Sequence, residues 1–241
     1  MHYFDFSIED RTGLLALNRP QSANAYNQPM LSELSAFLDD AGLRQKLGAL
    51  IVHGGSCRHF CAGADLKELS ERTLHDGLNL LARQVFQQLA AYPHPTIAAI
   101  HGAALGGGLE LALACDLRFG TPDCQLGFPE TGRGLIPAAG GCTRASIIAG
   151  PALAKEMIIF GRRLNGLEAL KHGLLSACLP KEELLLEARR YAATACIHDP
   201  LANTLAKSAI DAVWADGSCS LTEGLSQAIL YERRRGGHAK H

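Results

Sequence analysis

Between Thr96 and Asp116 the chain runs from an apolar stretch, Thr96 to Ile100, into three consecutive glycines, Gly106 to Gly108, and on into a helix-like run, Leu109 to Ala114. The apolar stretch reads as a buried strand. Glycines between a strand and a helix let another group approach the backbone closely. The first turn of a helix also leaves N–H groups without internal partners, in a positive field. Such a junction suits negative charge, standing or developing. Glu110 falls in that first turn, so hydrogen-bond donors and a carboxylate lie close together. Two readings stay open from this stretch alone: tight strand–helix packing with a glutamate that suits the dipole, or an anion site. It is not a dinucleotide fingerprint, because the third glycine position falls on Leu111.

The rest of the chain alternates strand-like and helix-like segments. Residues 2–8 alternate polar and apolar, Gly13 to Leu17 is a second short strand, and Glu9 to Gly13 between them looks like a hairpin turn. Pro29 to about Lys46 has helical periodicity, with Met30, Leu34, Phe37, Leu38 and Ala41 on one face. Ala49 to Val52 is a buried strand. Residues 73–92 predict one long helix, with Leu74, Leu78, Leu81, Val85, Phe86 and Leu89 inward, ended by Pro93 and Pro95. Short strands are expected at 116–120, 124–127 and 176–179. Helices are expected at 139–149, 151–160, 166–172, 181–197, 201–215 and 221–235. This alternation points to an α/β core, and the strand-free helical tail to an appendage for packing or assembly.

A second junction has the same logic as the glycine stretch. Phe60-Cys61-Ala62-Gly63-Ala64-Asp65-Leu66-Lys67 runs from small residues into a short helical turn. Two sets of free N–H groups, near Ala64 and near Gly107, would form an oxyanion hole if they converged on one carbonyl oxygen. A second carboxylate, Glu130, follows the short strand ending at Gly127. Two neighbouring carboxyls cannot easily both ionise, so one could donate a proton while the other activates water. Spacing does not show that they meet.

Composition removes several classes. Charged residues make up 20% and the formal net charge is −1, so nothing in the whole-chain charge favours nucleic acid or an anionic membrane as partner. No run reaches the roughly 18 apolar residues of a membrane span, and no secretory signal is visible. Eight cysteines without such a signal read as reduced cytosolic thiols. Cys57-Arg58-His59-Phe60-Cys61 is too cramped for the usual zinc ligand pairs and lacks a matching second pair. No Gly-x-Ser-x-Gly elbow occurs.

Taken together, the motifs resemble the crotonase superfamily of acyl-CoA enzymes, most closely enoyl-CoA hydratase, from about Phe4 to Leu230. They are Leu17-Asn18-Arg19-Pro20 with Asn24-Ala25, Phe60 to Lys67, and His101-Gly102-x-Ala104-x-Gly106-Gly107-Gly108-x-Glu110. Pro129-Glu130-x-x-x-Gly134-x-x-Pro137-x-x-Gly140-Gly141 and Gly161-Arg162 follow in order. The resemblance implies a crotonase-type spiral of repeated ββα units over 1–197, with a C-terminal helical segment over 198–241. It implies that the Ala64 and Gly107 amides hold a thioester oxygen. Glu110 and Glu130 would then add water across a 2-enoyl-CoA, Glu130 giving a proton to the α-carbon and Glu110 activating the water for the β-carbon. Asn24, Ala25, Ala62, Asp65, Leu66 and Lys67 would meet coenzyme A or the acyl group. For Asp65 capping of its short helix, and for Lys67 a solvated lysine, are the plain alternatives. His101 reads as structural.

The resemblance further implies no metal, no cofactor beyond the coenzyme A carried by the substrate, a homotrimer or hexamer, and a cytoplasmic location. The chain departs from the family at Gln21, where many hydratases have Lys, and at Ala138, where Gly is common. It departs most after Tyr231, where family members usually continue through a further helix. A crotonase-type isomerase, other crotonase lyase, decarboxylase or thioesterase chemistry, and a non-catalytic acyl-CoA-binding or assembly protein are the competing readings. Many isomerases lack a glutamate at the position of Glu110.

Overall fold

Hairpin alternation at the N-terminus translates directly into paired strands. In the computed structural model, which describes residues 1–71, 73–216 and 229, β1 (Phe4–Glu9) lies antiparallel to β2 (Thr12–Leu17). Asp10 and Arg11 turn the chain with φ of 44° and 66°, the left-handed pair that a two-residue hairpin needs to match strand twist. The segment expected as one helix over 29–46 is two, α1 (Gln28–Asp39) and α2 (Ala41–Lys46). Asp40 breaks it: its backbone is extended and its carboxylate accepts from the Leu43 amide at 2.9 Å, making it the cap of α2.

Strand β3 (Ala49–His53) follows, then α3 (Leu66–Glu71), α4 (Leu74–Asn79) and α5 (Leu81–Ala90). The single helix expected over 73–92 is thus also broken, at Leu80, which sits in the left-handed region with φ 42°. The break re-aims the chain. Val85, Phe86 and Leu89 are buried as expected, but Leu78 is 77% exposed.

The remaining elements are β4 (Thr96–Ile100), β5 (Ala103–Leu105), α6 (Gly107–Leu113), β6 (Leu117–Gly120), β7 (Gln125–Gly127), α7 (Gly141–Ala149), α8 (Pro151–Ile158), α9 (Gly166–Lys171), β8 (Ala177–Cys178), α10 (Lys181–Ile197) and α11 (Pro200–Asp216). The helix expected over 221–235 lies outside the described residues, Ile229 apart.

Six strands form one sheet in the order β1-β2-β3-β4-β6-β8, parallel beyond the first hairpin. A second layer carries β5 parallel to β7, extended by single bridges from Cys61 to Ala104 and from Leu126 to Leu164. Successive turns of chain therefore lay a strand in the large sheet, a strand or bridge in the second layer, and then helix: β3, Cys61, α3 to α5; β4, β5, α6; β6, β7 and the helices after them. This is the mixed α/β spiral that the motifs imply.

Both faces of the large sheet are covered, which is why β3 from Ala49 to Val52 and β4 from Ile97 to Ile100 are unbroken apolar runs instead of alternating. Leu50, Val52, Ala98 and Ile100 face Phe37, Phe86 and Leu89 of α1 and α5. Ile51, Ile97, Ala99 and Phe119 face Leu184, Ala188 and Ala192 of α10. Helix α11 docks on the same body: Lys207 Nζ pairs with Asp116 at 2.9 Å, and Thr204 donates to the Pro93 carbonyl at 2.8 Å. No helix among the described residues is long and apolar enough to cross a membrane.

One contact fixes α6 against the second layer. A methyl group built on Gly108 would overlap the Cys61 carbonyl oxygen and lie 2.9 Å from Cys61 Cβ. At an ordinary helical position Gly→Ala gains up to about 1 kcal/mol. Here the obstacle is backbone, which cannot rotate away. The Gly108→Ala variant is expected to lose about 1–3 kcal/mol by chemical denaturation. An unchanged or raised stability would show that the helix is not held this closely.

Candidate active site

The two small-residue junctions meet. Segment 61–65 is bonded on one side to β5, through Cys61 N to Ala103 O at 3.0 Å and Leu105 N to Cys61 O at 3.1 Å. On the other side it is bonded to residues 23–26, through Ala62 N to Ala23 O at 3.1 Å, Tyr26 N to Gly63 O at 2.8 Å and Asp65 N to Tyr26 O at 2.8 Å. A methyl built on Gly63 would lie 3.4 Å from the Gly107 amide nitrogen, so the Ala64 loop lies against the start of α6. Among the described residues neither the Ala64 nor the Gly107 amide donates to a carbonyl. Gly106, with φ 53° and ψ −126°, turns the chain from β5 into α6 in a conformation only glycine adopts readily.

The carboxyls are brought together by the second sheet. β5 and β7 run parallel with Leu105 opposite Gly127, so the residues after each strand emerge at the same edge. Gly106 N donates to Gly127 O at 2.9 Å and ties the two exits together. After β5 comes α6 with Glu110; after β7 come Phe128, Pro129 and Glu130. Glu130 Oε1 lies against Gly106, 2.7 Å from where a methyl on that glycine would stand.

Glu110 is 3% exposed. Its Oε1 accepts from two backbone amides, Ala139 at 2.7 Å and Gly141 at 2.8 Å. Burial pushes its carboxyl up to about 7, with Glu130's charge adding to the rise and the two amides opposing it. Burial also raises Glu130, opposed by its own amide and by the Arg133 cation. Glu130 Oε2 is buried without a hydrogen-bond partner among the described residues.

Ala62, Ala64, Gly107, Glu110 and Glu130 all line one cavity of about 840 Å³. Five residues expected as coenzyme A or acyl contacts are not in its wall. Asn24 is fully buried; its amide donates to the Gly54, His59 and Phe60 carbonyls and its carbonyl accepts from Arg19 N. It holds the loop in shape and has no group left for a ligand. The Ala25 carbonyl accepts from Arg19 at 2.8 Å. Asp65 pairs with the same guanidinium at 2.7 Å and accepts from Lys67 N at 3.0 Å, the capping alternative. Hydrogen bonding to Arg19 holds Asp65 below the usual carboxylate range. Leu66 and Lys67 stand exposed on the first turn of α3. The wall there is acidic instead, with Glu68, Glu71 and Asp76.

His101 is buried, with Nε2 2.7 Å from the Cys57 carbonyl. The seven cysteines among the described residues are unpaired, and no metal-like group of three His, Cys, Asp or Glu occurs among those residues. Sequence reasoning missed the Ala139 and Gly141 amides that hold Glu110. The Gly140-Gly141 pair was visible only as a motif, and nothing in it said which side chain its amides would meet. It also missed Tyr26, whose phenol ring lies across Gly107 so closely that any side chain there would overlap it.

The enoyl-CoA hydratase/isomerase family profile matches residues 8–226. A probable enoyl-CoA hydratase of Mycobacterium tuberculosis is 38% identical over 226 residues, 94% of this chain and 85% of its own. The human enoyl-CoA hydratase domain-containing protein 2, mitochondrial, is 42% identical over 204 residues, 82% of this chain and 70% of its own. A crystal structure of an enoyl-CoA hydratase from Bacillus anthracis superposes with a TM-score of 0.89 at 32% identity, covering 94% of this chain and 90% of that one.

Proposed function

Because the chain belongs to the enoyl-CoA hydratase/isomerase family, we propose that it hydrates 2-enoyl-CoA thioesters to 3-hydroxyacyl-CoA, with Glu110 and Glu130 as the acid–base pair. The observation that carries this reading is that buried Glu110, half-buried Glu130 and two amides that donate to no carbonyl among the described residues all line one cavity. Adding water to a conjugated thioester builds negative charge on the carbonyl oxygen. Two amides aimed at that oxygen stabilise the charge where it develops. Ionised Glu110 takes a proton from water as its oxygen bonds to the β-carbon, and neutral Glu130 gives its proton to the α-carbon. The reaction thus leaves the proton on Glu110 and the charge on Glu130, and one proton transfer between them restores the pair. No cofactor beyond the coenzyme A of the substrate takes part in these steps.

Burial raises both carboxyls, so the pair keeps a proton to higher pH than ordinary glutamates do, and the reactive form is the one with that proton on Glu130. A carboxyl raised to about 7 is a stronger base than an ordinary glutamate yet is still ionised near neutral pH. Purified protein mixed with crotonyl-CoA is expected to bleach the enoyl thioester absorbance. Its kcat/KM should fall as pH drops through about 7, where Glu110 takes up its proton. Turnover of 3-enoyl-CoA only would replace hydration by isomerisation. Binding of acyl-CoA with no turnover of either would leave a non-catalytic carrier.

Assembly as a trimer or hexamer and a cytoplasmic setting belong to the same proposal and rest on the family resemblance alone. Light scattering on the eluting protein reads the first directly.

A further inference from the structure

We propose that Arg144 is a positioning residue for the reaction, its guanidinium holding the turn at 139–141 so that two amides of that turn fix the Glu110 carboxyl; this rests on the hydratase reading above. Arg144 lies in the first turn of α7 and is not part of the cavity wall, so it acts through another group. Its Nη1 donates to the Ala139 carbonyl at 3.1 Å. Its Nη2 reaches the Gln87 Oε1 at 3.1 Å and the Phe86 carbonyl at 3.4 Å, both on α5. The guanidinium lies across Gly140 so closely that a methyl there would overlap it.

The consequence is a relay through one residue. The Ala139 carbonyl is held by Arg144, and the Ala139 amide donates to Glu110. Gly141, two residues on, donates to the same oxygen. Within the turn itself the backbone bonds are Cys142 N to Pro137 O at 3.4 Å and Arg144 N to Gly140 O at 2.8 Å, neither of which touches the Ala139 carbonyl. The forked guanidinium therefore anchors the turn to α5, and the turn in turn anchors the base. A planar fork can bridge three acceptors in this way; an ammonium cannot hold the same geometry.

Charge adds to geometry. The groups that face Arg144 are Glu110, Cys115 just beyond α6, Arg83 of α5 and Asp211 of α11. Those that face Glu110 are Glu130, Cys142 of α7 and Arg144, and the Arg144 cation favours ionised Glu110. Loss of the cation should make Glu110 hold its proton to higher pH.

The test compares Arg144→Gln and Arg144→Lys with wild type, using crotonyl-CoA. For Arg144→Gln, kcat is expected to fall about 10- to 100-fold, with KM within about threefold because no substrate contact is removed. The acid limb of kcat/KM should move to higher pH. Arg144→Lys keeps the charge, so its acid limb should stay near wild type while kcat falls by a smaller factor. A carboxyl titration by infrared, with the Glu110 band assigned by its absence in Glu110→Gln, gives a readout that needs no turnover: the midpoint should rise in Arg144→Gln. Unchanged kcat with an unmoved midpoint, or a change confined to KM, overturns the proposal. If Arg144→Gln does not fold, the lysine variant decides, and an unaltered kcat there overturns it. If wild type does not turn over crotonyl-CoA, the hydratase reading fails by itself, and the titration alone decides whether the clamp exists.

Discussion

Replacing Glu130 by glutamine is expected to lower kcat for crotonyl-CoA by about 10²–10⁴-fold while leaving the fold and KM nearly unchanged. Glutamine has the same shape, so the contact with Gly106 survives. In the proposed mechanism it has no proton to give the α-carbon, so the step would lose its acid while the amides at 64 and 107 would still hold the thioester oxygen. Stability should not suffer. Oε2 has no partner to lose among the described residues, and burial already favours the uncharged form. A variant that keeps its rate within about threefold would remove Glu130 from the chemistry and leave a one-carboxyl mechanism.

What made this site readable in the sequence was chemistry, and what made it unreadable was register. Glycines before Glu110 and small residues before Leu66 announce amides without carbonyl partners, and among the described residues the Ala64 and Gly107 amides have none. The meeting of Glu110 and Glu130, 20 residues apart in sequence, depends on β5 lying parallel to β7, and β5 was not legible. Ala103-Ala104-Leu105 is too short and too uniform to show a period of two. The same holds for the helix breaks. Asp40 and Leu80 sit inside apolar patterns that continue on both sides, yet Asp40 gains more as a cap, and Leu80 takes a left-handed conformation that its residue type does not advertise. Strands buried on both faces, β3 and β4, were the easiest elements to find because their burial leaves an unbroken apolar run. Two motif residues expected as ligand contacts, Asn24 and Asp65, are polar groups whose side chains bond within the loops they belong to. Polarity in a motif does not distinguish a group that binds from a group that shapes.

Glu110→Gln should separate the cost of the site from its use. The variant is expected to lose activity by a factor comparable to Glu130→Gln, because glutamine cannot take a proton from water. Its stability should move the other way, and increasingly so as pH rises. Glu110's carboxyl sits at about 7 in the folded protein against an ordinary 4.5. A raised folded value means that the native state favours the neutral form. Stability from this group is fully present below about 4.5, declines as pH rises, and is lost above about 7, where the buried carboxylate must be borne ionised. At about 1.4 kcal/mol per pH unit the whole difference is roughly 3 kcal/mol. Glutamine accepts from the Ala139 and Gly141 amides through its carbonyl and never ionises, so it escapes the cost. Urea denaturation should find the variant close to wild type at pH 5 and more stable by roughly 2–3 kcal/mol at pH 8. Groups that titrate alike in both proteins cancel in the comparison. Glu130 does not, since it loses a charged neighbour, but that adds to the gain at high pH. A variant equally destabilised at both pH values would mean that the two amides, and not burial, dominate the environment of Glu110. Its role as a base poised near neutrality would then have to be given up.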